Sequence, residues 1–135
     1  NKLKKMVKVY ELENEVSFFG HVSHNKILPY YQKLSIFVCP SLRESFGVSV
    51  IEASASGLPV IANNIGGLKE VVLHKKTGYL LDTTNVENLA EYLEKLIMDD
   101  DLRFKLGQNG RDYVKQNFNW DSNVTKMLTA YKEVG

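Results

Sequence analysis

A chain of 135 residues, 44% of them hydrophobic and 24% charged, can bury one real core, so the sequence reads as a single domain over 1–135. A formal net charge of +1 gives no ground for a nucleic-acid or anionic-membrane partner, and the lone cysteine, Cys39, excludes an internal disulfide and fits a reducing compartment. No run approaches the roughly 20 apolar residues of a membrane span, and no signal peptide is visible.

Leu3, Met6, Val7 and Tyr10 recur at helical spacing and predict a helix over 3–13. The chain thus opens at Asn1 inside a helical pattern and is expected to be a piece of a longer protein. Val16, Phe18 and Phe19 predict a short strand over 16–19, ended by Gly20. Ile27, Leu28, Tyr31 and Leu34 mark a second helix from Asn25, and 36–39 is the next strand. A loop leads into a helix over 48–56, with Gly57 in the usual C-terminal position. A buried strand over 58–62 follows, then a loop over 63–67 that opens a short helix through Val72. After a polar turn over 74–78 comes a strand over 79–81, then helices over 86–98, 102–115 and 122–131. Strands that are continuous apolar runs and alternate with helices predict an α/β fold, a doubly wound parallel sheet of Rossmann-like kind. Ligands of such sheets gather beyond the carboxyl ends of the strands.

The segment Glu44-Ser45-Phe46-Gly47-Val48-Ser49-Val50-Ile51-Glu52 lies at such an end. A helix beginning near Gly47 directs unsatisfied N–H groups and a positive dipole end at the loop, where a diphosphate is stabilised. Glycine allows close approach of the backbone to that anion. A carboxylate repels phosphate, so Glu44 and Glu52 suit the hydroxyls of a ribose or hexose instead. A nucleotide-sugar has this layout. The residues alone also permit a plainer reading, with Glu44 as a first-turn charge and Glu52 on a solvated helix face.

Other positions carry weaker signals. Gly20-His21-Val22-Ser23-His24 is a second loop at the ligand edge, although a lone loop histidine is more often a polar surface residue. Gly66-Gly67 offers either N–H groups to an anion or a tight turn that needs positive φ. Arg103, Arg111 and Lys2, Lys4, Lys5 and Lys8 read as solvated helix faces, with Tyr10 too isolated for a nucleic-acid stacking platform. Three scattered histidines and one cysteine give no zinc spacing, and there is no Asp-x-Asp of the kind metal-dependent sugar transferases use.

The linked series Pro40-Ser41-x-x-Glu44-x-Phe46-Gly47, Glu52-Ala53, Gly57-x-Pro59-Val60-Ile61-Ala62, Gly66-Gly67-x-x-Glu70 and Gly78-Tyr79-Leu80-Leu81 resembles one family. It is similar to the C-terminal, donor-binding half of the GT-B retaining glycosyltransferases of group one (family four), whose E-x7-E signature falls on Glu44 and Glu52. The resemblance implies that Glu52 binds the ribose and that Glu44 contacts the donor sugar in the catalytic role. It implies that Ser45 and the backbone of Phe46, Gly47 and Val48 face sugar and diphosphate, and that Val22 and His24 lie near the base. Trp120, in a Phe-x-Trp segment, would lie where the last helix returns toward the other domain, or simply anchor that helix in the core.

The implied reaction is retaining transfer of a hexose from a nucleoside diphosphate to an acceptor hydroxyl, in glycan or surface polysaccharide synthesis. No cofactor or metal is expected. The implied setting is cytoplasmic, with membrane association at the inner face through the absent domain. The family's diphosphate-clamping Arg and Lys, after the first strand of the domain, have no counterpart here, and the N-terminal acceptor domain is missing, so the chain alone is expected to be inactive. A nucleotide-binding module of the same fold without transferase activity, or a sugar-nucleotide epimerase of related architecture, is the alternative.

Overall fold

The computed structural model describes residues 1–118; the helix expected over 122–131 and Trp120 lie outside the described residues. Three parallel strands, β1 (Phe37–Cys39), β2 (Val60–Asn63) and β3 (Gly78–Leu81), form a sheet in the order β1-β2-β3. Phe37 sits beside Val60, and Val60 beside Gly78. Two helices precede the sheet, α1 (Lys2–Val9) and α2 (Leu28–Lys33), with a 3₁₀ turn at His24–Lys26 just before α2. Helix α3 (Val48–Ala55) connects β1 to β2, α4 (Leu68–Val71) connects β2 to β3, and α5 (Val86–Met98) and α6 (Asp100–Asn117) follow.

Alternation along β2 divides the core between the two faces of the sheet. Val60 and Ala62 pack with Val50, Ile51, Leu68, Val71 and Val114. Ile61 packs with Tyr79, Leu81, Leu96 and Leu106 on the other. Every residue of β2 is buried. The expected α/β fold with a parallel sheet, covered by helices on both faces, is therefore present.

The strand expected over 16–19 does not form. A strand exists only through a ladder with a neighbour, and the backbone of residues 17–19 has no backbone partner among the described residues. Phe18 and Phe19 stay exposed; Phe19 meets Tyr30 edge-on at 5.2 Å and Lys4 lies over the Phe18 ring. Helix α1 also stops four residues short of expectation. Glu11 takes the left-handed φ of 55° normally given to glycine, and Leu12 N–H donates to Val7 O at 2.9 Å. That Schellman closure on a glutamate leaves no sequence mark.

The end of α3 uses the expected glycine. Gly57, at φ 80°, donates to Ser54 O, and Leu58 donates to Ala53 O. This commits the Leu58 N–H, so the strand expected over 58–62 starts at Val60 and runs on to Asn63. Helix α6 begins at Asp100 rather than 102 because Asp99 Oδ1 caps it, accepting from Leu102 N–H at 2.9 Å.

Candidate functional site

The loop over 40–47 leaves the carboxyl end of β1 and turns into α3 at Gly47, which is left-handed at φ 65°. A Cβ there would stand 3.1 Å from Leu68 Cδ2, so the turn and the packing of α4 both demand glycine. The N–H groups of Val48, Ser49 and Val50, in the first turn of α3, have no protein partner among the described residues. Ser45 and Phe46 are exposed beside them. Glu44 is half-buried, and its Oε1 accepts the N–H of Gly47 at 3.2 Å. One carboxylate oxygen therefore closes the loop; the other makes no hydrogen bond among the described residues.

Neighbouring backbone fixes this loop. Cβ atoms on Gly66 and Gly67 would fall 2.8 Å from Glu44 O and 2.3 Å from Ser45 O. Gly66 also has φ 42°. The pair is thus explained by a positive-φ turn and close approach, without an anion.

Asn63, 5% exposed, ties the strand ends together: Nδ2 donates to Ser41 O at 3.2 Å, while Oδ1 accepts from Thr83 N–H at 3.2 Å. Asn63, expected to open the loop, is instead the last residue of β2. The available signal was a polar residue at the end of a buried apolar strand, where its polar atoms must find partners.

Glu52 is 7% exposed in the middle of α3, which overturns the solvated-face reading. The Tyr31 hydroxyl donates to its Oε2 at 2.8 Å, and His24 Nδ1 stands 3.1 Å from Oε1. That second approach is close enough for an ion pair with a protonated imidazole, yet no hydrogen bond is directed at Oε1. Burial, and then the hydrogen bond and charge of Glu52, push the Tyr31 hydroxyl far above its ordinary range, so it stays a donor. A cleft of about 540 Å³ opens here between α2, α3 and α6, lined by His24, Leu28, Tyr31, Glu52, Arg111 and Lys115. Arg111, expected on a solvated face, is exposed and also forms part of its wall.

The structure brings His24, Tyr31 and Glu52 together. Glu44, Ser45, Phe46, Gly47 and Val48 form a second group at the start of α3, whose first residue, Val48, lies about 6 Å along the helix axis from Glu52 at 1.5 Å per residue. Val22 is half-buried in the irregular segment before the 3₁₀ turn and is not in the cleft wall. Cys39 is buried, its thiol 3.6 Å from Ser41 Oγ, in line with an inert role. The run Asp99-Asp100-Asp101 does read Asp-x-Asp, but Asp99 caps α6 and Asp100 pairs with Arg103 at the junction of α5 and α6. Among the described residues no group of three or more His, Cys, Asp or Glu side chains could hold a metal ion, and no helix is long and apolar enough to cross a membrane.

Comparison with known proteins bears on this site. Residues 1–113 match the family described as glycosyl transferases group 1. The chain is 31% identical over 132 residues to the GDP-mannose-dependent alpha-(1-6)-phosphatidylinositol monomannoside mannosyltransferase of Mycobacterium tuberculosis, covering 93% of this chain and 34% of that enzyme. Among solved structures, the sucrose-phosphate synthase of Thermosynechococcus elongatus superposes with a TM-score of 0.85 at 34% identity, over 98% of this chain and 33% of the synthase. A Staphylococcus aureus protein solved in complex with UDP superposes with a TM-score of 0.83 at 27% identity, over 95% of this chain and 26% of that one. The chain thus spans a quarter to a third of the length of these proteins. A matched family over most of its length and the sheet that fits GT-B C-terminal domains lead to one conclusion: the chain belongs to the group 1 glycosyltransferases.

Proposed function

We propose that this chain is the donor-binding part of an enzyme that transfers a hexose from a nucleoside-diphosphate sugar to an acceptor hydroxyl, with retention at the anomeric carbon. The observation that carries the reading is the buried Glu52 carboxylate, whose Oε1 accepts no hydrogen bond, in a cleft on the same helix as a free N-terminal turn. A hydroxyl-bearing ribose suits the first and an anionic diphosphate the second. The names of similar proteins support a nucleotide ligand: one is GDP-mannose-dependent and another was solved with UDP.

In this reading Glu52 accepts from ribose hydroxyls and the free oxygen of Glu44 accepts from the donor sugar. The N–H groups of Val48, Ser49 and Val50 face the diphosphate. Gly47 N–H, expected to share that task, is already given to Glu44. Phe46 and Ser45 wall the sugar, and Val22 and His24 flank the base. The chemistry is electrostatic: helix N–H groups stabilise the charge that develops on the departing diphosphate. The acceptor is bound by a second domain, and no metal or nucleic acid takes part. The product is a glycan or surface polysaccharide, and the enzyme works in the cytoplasm, at the inner membrane face through its other domain.

The test is to titrate the chain with UDP, GDP and ADP while recording backbone amide NMR shifts. Shifts at Val48, Ser49, Val50 and Glu52 with one nucleotide are expected, and they name the base. In the full-length enzyme Glu52→Ala is expected to weaken binding of that nucleotide by about 1–3 kcal/mol. Unchanged affinity by calorimetry would remove Glu52 from the ribose.

A further inference from the structure

Glu52 does not hold its own conformation. A buried carboxylate with neither oxygen fixed is free to rotate about its last torsions and to recruit whichever donor is nearest. Here one oxygen is fixed from a different element. Tyr31 reaches from α2 across 21 residues of sequence, and its hydroxyl donates to Oε2 at 2.8 Å. The ring is 6% exposed and packs against Phe37 of β1 with centroids 5.7 Å apart, so the hydroxyl is aimed by the core and not by solvent. The nearest other acceptor for it is Ser49 O, at 3.4 Å, one turn back along α3. Oε1 remains, under the exposed imidazole of His24 and with no hydrogen bond of its own, so a ligand hydroxyl would have to displace that ring to reach it.

We propose that Tyr31 is the positioning residue for Glu52: by occupying Oε2 it presents Oε1 to a ribose hydroxyl and gives the site its preference for ribonucleotides over deoxyribonucleotides. This rests on the donor-site reading above. Part of Tyr31 lines the cleft, but its hydroxyl is committed to Oε2. It acts through the carboxylate, so removing its hydroxyl leaves the phosphate and base contacts intact and damages only the contact made by Glu52.

The experiment is calorimetry on the full-length enzyme with UDP and GDP, each beside its 2′-deoxy form. Tyr31→Phe keeps the ring against Phe37 and deletes the donor. Ribonucleotide affinity is expected to fall about tenfold, the scale of a hydrogen bond to a charged group, while 2′-deoxynucleotide affinity changes less than twofold. In a Glu52→Gln background, adding Tyr31→Phe is expected to change ribonucleotide affinity less than twofold, because the two act as one unit. A preference for ribose that survives Tyr31→Phe, or losses that multiply in the double variant, would overturn the proposal. Should Tyr31→Phe fail to fold, the wild type answers by itself: the Tyr31 hydroxyl proton, followed by NMR, is expected to shift with the ribonucleotide and not with the deoxynucleotide, and equal shifts overturn it. The underlying reading fails separately. If Glu52→Ala leaves ribonucleotide affinity unchanged, both fall; if it costs affinity while Tyr31→Phe does not, only the role of Tyr31 falls.

Discussion

Glu44 and Glu52 stand eight residues apart in a linear motif, with seven residues between them, but the structure gives them different surroundings. Glu44 is half-buried with one oxygen bound to the N–H of Gly47, while Glu52 is buried and held by Tyr31. Glu44→Ala therefore removes a loop closure and, in the proposed function, a sugar acceptor. It is expected to lower turnover and nucleotide-sugar affinity while leaving affinity for the bare nucleotide nearly intact, at a stability cost of about 0.5–1.5 kcal/mol. Calorimetry with both ligands checks this; equal losses for the two would contradict a sugar contact. The motif itself was legible because its spacing is local. The burial of Glu52 was not, because Ser49, Glu52 and Ser56 share one side of the helix at i, i+3, i+7 spacing and read as a solvated face, whereas Val50 through Ser54 are all buried. Nor was Tyr31: a partner 21 residues distant is set by how α2 lies on α3, which no spacing rule reports.

Among the elements, two helices close on a left-handed residue and only one of the two announces it. Gly57 ended α3 as expected, whereas Glu11 ended α1 in the same geometry without a glycine to announce it. The apolar residues at 16–19 have strand composition and no ladder. Helix α6 carries a contrast that sequence cannot supply. A Cβ on Gly107 would lie 2.1 Å from Gly57 O, but one on Gly110 would come no closer than 3.4 Å, to Thr77 O. Gly107→Ala is expected to destabilise by about 1–3 kcal/mol, since α6 must move off the end of α3. Gly110→Ala is expected to be neutral or to stabilise by up to about 1 kcal/mol through helix propensity. Denaturation midpoints of the two variants decide it, and equal losses would refute this account of the α3–α6 contact.

At the scale of the whole molecule, the parallel sheet and its two-sided cover follow from alternation of apolar strands and helices, and the structure has them. Helix α1 buries none of its residues, and Leu3, Val9 and Tyr10 are exposed, so this end of the chain presents apolar surface that the described residues do not cover. The similar proteins are about three times as long. In the proposed function the acceptor side of the reaction lies on other chain segments. The 135-residue chain is accordingly expected to bind nucleotide without transferring sugar. A product assay with UDP-glucose and GDP-mannose checks this, and any glycosylated acceptor would overturn the division of labour.

The contact between the Gly66-Gly67 turn and the carbonyls of Glu44 and Ser45 has a consequence for anyone reshaping donor choice by random mutagenesis. In a library both glycines will look as indispensable as Glu52, and a map of intolerant positions will draw all three into one apparent pocket. Their intolerance has different origins. At the glycines every side chain is refused by carbonyl oxygen, so the loss falls on folded yield whatever ligand is offered. At Glu52, in the proposed function, the loss falls on recognition. Donor specificity is therefore to be sought in the walls of the cleft, with the glycine turn left as the fixed jig that sets the height of the motif above the sheet.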